Sequence, residues 1–112
     1  MEYLFVIWES PEVATDEARR GAAMQQMGAF AMDLAGRGKV TGGGPLGAGG
    51  VQVRQRDDRT SVVDGPFTES REVIGGYFVV KADSRDEALE IAAHCPAASY
   101  GAVEVHPIIP MG

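Results

Sequence analysis

Apolar positions along this chain switch between a strand period and a helix period, and the switches outline its elements. Tyr3-Leu4-Phe5-Val6-Ile7-Trp8 is an unbroken aromatic and β-branched run, which predicts a strand apolar on both faces, so both must be covered. Ser10-Pro11 ends it. Thr15-Asp16-Glu17 offers an N-cap with acids in the first turn, and Met24, Met27, Ala31 and Leu34 recur at three- and four-residue spacing, so a helix is expected to end near Gly36 or Gly38. Residues 42–50, Gly-Gly-Gly-Pro-Leu-Gly-Ala-Gly-Gly, keep neither period and are expected to be a flexible connection or a mobile lid over a neighbouring pocket. Val51 to Gln55 and Thr60 to Asp64 flank a polar Arg56-Asp57-Asp58-Arg59 turn as a hairpin. Val73 to Lys81 is another strand apolar on both faces. Ser84 and Glu87 fit a capping box ahead of a helix with Ala88, Ile91, Ala92 and Cys95 as its buried stripe, and Pro96 stops it. In the last strand, Ala102 to His106, alternation sends Val103 and Val105 to one face and Glu104 and His106 to the other.

The resulting order is strand, helix, strand, strand, helix, strand, with the hairpin split between the two middle positions. Two right-handed crossovers place both helices on one side of a mostly antiparallel sheet, the ferredoxin-like α+β arrangement. The opposite face is then bare. Since the first strand and the Val73 strand are apolar on both sides, a second subunit is expected to cover it, giving a homodimer paired sheet to sheet.

The chain has 112 residues, 45% apolar and 23% charged, enough for one domain with a real core. A formal charge of -6 disfavours nucleic acid and anionic membrane as partners, since both need a concentrated basic surface. The longest purely apolar run falls far short of the roughly 20 residues of a membrane span, no secretion signal is evident, and the single Cys95 has no disulfide partner. A cytoplasmic location is the default expectation. Gly42, Gly44 and Gly47 satisfy G-x-G-x-x-G, but Pro45 interrupts the motif and a strand, not a helix, follows it, so a dinucleotide site is excluded. No motif asks for a cofactor, and the absence of a His-x-His, a Cys cluster or a His-Glu-x-x-His gives no support to a metal.

The candidate chemistry lies elsewhere. Asp64-Gly65-Pro66-Phe67-Thr68-Glu69-Ser70 is a turn-forming cluster with two carboxylates, Asp64 and Glu69, set before the Val73 strand. The pair suits a general acid and base or a cation, while Asp64 alone suits an Asx-type turn. Glu104 and His106 face away from the helices and are costly there unless paired or wet. Tyr77 and Tyr100 offer hydroxyls for a pocket or for the core. Cys95, at a helix C-terminus, reads as core, because that end of the dipole disfavours a thiolate. His94 suits the same negative end.

At Asp64-Gly65-Pro66-Phe67 the chain strongly resembles the YCII-related family, in its DGPF-domain branch. The likeness continues through Thr68 to Glu72, Gly75-Gly76-Tyr77-Phe78, Asp86-Glu87-Ala88, Cys95-Pro96-Ala97-Ala98, Tyr100 to Val105 and Pro107, nearly the whole chain. The resemblance implies a ferredoxin-like fold assembled as a dimeric α/β barrel. Some such proteins are encoded beside sigma factors of the extracytoplasmic type, and a relative in the wider family is a dehydrochlorinase of a chlorinated hydroquinone. The histidine of that wider family's proposed His-Asp pair stands early in the chain. This sequence has none before His94, and the branch often has arginine at the place of His106.

The expected protein is therefore a homodimer with a small pocket beside the Asp64 loop, walled by Glu69, Tyr77 and Glu104, with His106 as a further binding residue. Asp64 or Glu104 would be the base in a cofactor-free elimination or isomerisation of a small cyclic or phenolic substrate. The alternative is a non-catalytic interaction or ligand-sensing module linked to an extracytoplasmic-type sigma factor.

Overall fold

The computed structural model describes residues 1–47, 49–65 and 73–111. At its centre, β1 (Glu2–Glu9) sends Tyr3, Phe5 and Ile7 into the core and leaves Leu4, Val6 and Trp8 partly covered on the other face. β5 (Val73–Lys81) and β6 (Gly101–Pro107) flank it, and β2 (Val40–Pro45) pairs with the far side of β5. All three pairings are antiparallel, in the order β2-β5-β1-β6, so the ferredoxin-like arrangement holds. Among the described residues the strands close no barrel.

The helices sit on the one face to which right-handed crossovers carry them, where their small and apolar residues pack against Tyr3, Phe5 and Ile7. α1 (Pro11–Thr15) leads into α2 (Glu17–Gly36), whose N-cap Asp16 accepts from the Arg19 backbone N–H at 3.1 Å. Leu34 is fully buried and Ala23 nearly so, with Met27 and Phe30 packed against the core, whereas Met24 is 65% exposed. The inward stripe is thus rotated from the expected one, which included Met24. α3 (Arg85–Ala93) is capped by the Ser84 hydroxyl, which accepts from the Glu87 N–H at 3.1 Å, and it contributes Ala88, Ile91 and Ala92 to the same core as Phe5 and Val80. The expected return contact of the Glu87 carboxylate goes elsewhere: it takes Lys39 Nζ at 2.6 Å and the Asp83 N–H at 3.4 Å, tying α3 to the entry of β2. Pro96 begins α4 (Ala97–Tyr100) directly after the α3 stop, and Cys95 between them is buried.

Two expectations about the middle of the chain are corrected. The glycine-rich stretch is not merely a connection, since Val40–Pro45 is the edge strand of the main sheet. Hydrophobic periodicity could not reveal a strand with three glycines, because it has few side chains to pattern. Gly43 is required there: its φ is +136°, and a Cβ would meet the Tyr77 carbonyl and come within 2.9 Å of Phe78 Cα. The hairpin of β3 (Val51–Arg56) and β4 (Arg59–Asp64) pairs as expected, but as a separate two-stranded sheet rather than in the middle of the main one. Asp57 and Asp58 both take positive φ, 51° and 61°, the backbone of a two-residue type I′ turn. No described helix is long and apolar enough to cross a membrane.

Candidate functional site

The sheet face turned away from the helices gathers the chemistry. Pairing register sets its layout: Val6 of β1 stands opposite Glu104 of β6 on one side and Tyr77 of β5 on the other, with Gly44 of β2 beyond Tyr77. The next row is His106, Leu4, Val79 and Gly42. Trp8 lies between Ala102 and Ile74 at one end. Glu104 and Tyr77 are two strand spacings apart, about 10 Å, with Val6 as an apolar floor between them. Gly44 leaves the Tyr77 side open, since a Cβ there would meet nothing within 4 Å.

Glu104 is held from two directions. Trp8 donates its indole N–H to Oε1 at 3.3 Å, and the other carboxylate oxygen takes a short contact from Nε2 of His106, two residues along the same strand. In the neutral tautomer that donates from Nε2 to the carboxylate, Nδ1 keeps the lone pair. The His106 ring beside Glu104, aided by the Trp8 N–H, lowers the carboxyl pKa from its ordinary value. Both members of the pair are about half exposed, at 49% and 53% of their side-chain surface.

Sequence reasoning placed Glu104 and His106 on this face and named Tyr77 as a pocket wall without assigning it a face; the pairing register puts all three on this one. Asp64 is elsewhere, exposed at the end of β4 opposite Val51, on the hairpin rather than the main sheet. Glu69 lies outside the described residues, as does the rest of the loop from Pro66 to Glu72. Trp8 was missed as a site residue. Its place in an apolar run marks it as a packing residue, and only the β1–β6 register shows that its N–H reaches Glu104.

Other polar groups serve the core or the helix ends. Burial pushes up the pKa of the Cys95 thiol, whose Sγ lies 3.7 Å from Met27 Sδ. His94 donates from Nδ1 to the Glu90 carbonyl at 2.9 Å, holding the last turn of α3. Two clefts lie on the helical side: one of about 360 Å³ between α1, α2 and Tyr100, another of about 500 Å³ between α2 and α3 around Arg37, Lys39 and Glu87. Neither includes Glu104, His106 or Tyr77, whose side chains are partly exposed on the sheet face. Among the described residues no group of three His, Cys, Asp or Glu side chains is placed to hold a metal ion.

Comparison with known proteins gives this geometry a context. The YCII-related domain model matches residues 1–112. An uncharacterized protein of Rhizobium meliloti (strain 1021) is 38% identical over 58 residues, which is 50% of this chain and 47% of that one, so the match takes in about half the length of this curated relative. The 5-chloro-2-hydroxyhydroquinone dehydrochlorinase of Burkholderia phenoliruptrix AC1100, solved in complex with 2,5-dihydroxybenzoquinone, superposes with a TM-score of 0.57. The superposition covers 97% of this chain and 94% of the dehydrochlorinase at 22% identity, which is a likeness of fold.

Proposed function

The chain belongs to the YCII-related family, and on that premise we propose that it catalyses cofactor-free acid and base chemistry on a small cyclic or phenolic compound, at the open sheet face around Glu104. The observation that carries this reading is the Glu104 carboxylate fixed between Trp8 and His106 above an apolar floor of Leu4 and Val6. A carboxylate that accepts from one ring nitrogen orients the imidazole and leaves the other nitrogen as a proton acceptor. In this reading His106 is the base and Glu104 its orienting partner. Tyr77, across Val6, binds a hydroxyl at the far side of the ring. A planar guest fits the 10 Å between them.

The named reaction of the structural neighbour, dehydrochlorination of a hydroxylated hydroquinone, supplies the model chemistry. His106 takes a hydroxyl proton and returns it to the ring carbon bearing the leaving group, giving the keto form. Loss of a second hydroxyl proton and of the leaving group as its anion then yields the quinone. The sum is substrate to quinone plus a proton and a halide, with no change of redox state. Half-exposed side chains are poorly shielded for such steps, and a second copy of the chain set sheet to sheet would exclude the water.

Chloride release from chlorohydroquinone, followed with an ion-selective electrode, tests the proposal. Wild type is expected to turn over, and Glu104→Gln or His106→Ala is expected to lose about a hundredfold or more with the melting curve intact. Turnover that survives His106→Ala would remove it as the base. Asp64 is tested alongside: unchanged turnover of Asp64→Asn assigns it to the hairpin end.

A further inference from the structure

The β3–β4 hairpin is an arm whose packing, among the described residues, is almost entirely between its own two strands. On one face it carries Val51, Val53 and Val62, exposed at 51%, 63% and 63%, together with Gln55, Thr60 and Asp64. The other face carries Gln52, Arg54, Arg56, Arg59, Ser61 and Val63. A two-stranded hairpin alone in water is marginally stable, so a six-pair ladder with a valine face calls for a cover that the described residues of its own chain do not supply. Among the described residues a second apolar surface is only partly covered, the sheet face of Leu4, Val6, Trp8 and Val79.

From these two unmatched surfaces we infer that the arm clasps a second copy of the chain, laying its valine face on the rim of the partner's open sheet face beside Trp8. This rests on the second copy invoked above and adds the element that holds it. Charge favours that occupant: residues 51–64 contain three arginines (Arg54, Arg56, Arg59) and three aspartates (Asp57, Asp58, Asp64), so the chain's whole charge of -6 lies outside the arm. An acidic partner thus receives a neutral arm without the repulsion two acidic bodies would meet. Area favours it as well. The sheet face measures about 19 by 22 Å in outline and the arm's face adds about 10 by 20 Å, moving the contact toward the roughly 800 Å² per partner of a stable interface. Two-fold symmetry gives two such clasps per dimer, and each arm becomes a wall of the other copy's site.

Fluorescence quenching between copies tests the clasp without any ligand. Trp8 is the chain's single tryptophan. Copies carrying Trp8→Phe, Cys95→Ala and a nitroxide attached through Ser61→Cys are mixed with unlabelled wild type at micromolar concentration. Quenching of Trp8 that grows with labelled copies is expected, and Val53→Lys in the labelled copy is expected to abolish it, with circular dichroism confirming the fold. A dimer by light scattering with no quenching would overturn the clasp and leave the sheet pairing standing. An 11.9 kDa species alone would overturn both.

Discussion

Glu104 is a mid-strand residue of β6, an edge strand of the main sheet, and its ionisation ties the candidate site to pH. Its folded pKa is lowered, mainly by the hydrogen bond with His106. A carboxyl so shifted contributes stability that is fully present above its unfolded value, about 4.3, and is lost as pH falls through the lower folded value. The melting temperature of wild type should therefore exceed that of Glu104→Gln near neutrality, and the difference should close as the pH drops below about 4. A constant difference across that range would show that the pair adds nothing through ionisation. In the core, Leu34→Ala should cost about 2–5 kcal/mol, a fall of 10 °C or more, whereas Met24→Ser should stay within about 0.5 kcal/mol. Thermal melts of the two variants check which side of α2 faces inward. Much at this scale was legible in the sequence. Alternation alone sent Glu104 and His106 to one face and Val103 and Val105 to the other, since a strand has only two faces. The Trp8 to Glu104 bond was not legible, because it spans 96 positions and depends on register.

At the scale of elements, β2 marks where pattern reading fails. Its residues are Val40, Thr41, three glycines and Pro45, so the strand is specified by what its neighbour tolerates rather than by its own side chains. Gly43→Ala combines a left-handed backbone with a collision against Tyr77 and Phe78, and should destabilise by about 1–3 kcal/mol. Gly44→Ala meets open space and should change stability little while narrowing the Tyr77 side of the site. Chemical denaturation of the two variants separates these roles. The helix ends were legible: Asp16 and Ser84 cap as their residue types predict, and Asp16→Ala should cost about 1 kcal/mol. Glu87 was legible as part of a capping box but not as the partner of Lys39, which stands 48 residues away.

The whole molecule is extended for its length, with a radius of gyration of 15.7 Å against about 13 Å for an ordinary compact domain of this size. The hairpin forms a sheet of its own, and sequence alone could not separate it, since the β3 and β4 patterns are those of any short antiparallel pair. The partly covered sheet face of Leu4, Val6, Trp8 and Val79 also carries the half-exposed Glu104–His106 pair, so the proposed site and the proposed sheet pairing stand on the same face. Trp8 reports on that face directly. The most direct measurement is its emission during a titration with chlorohydroquinone, with benzoate as a control of different chemistry. A saturable change is expected for the hydroquinone, weakened about tenfold or more in Glu104→Gln and in Tyr77→Phe. No change, or one that both variants keep, would contradict a site on this face.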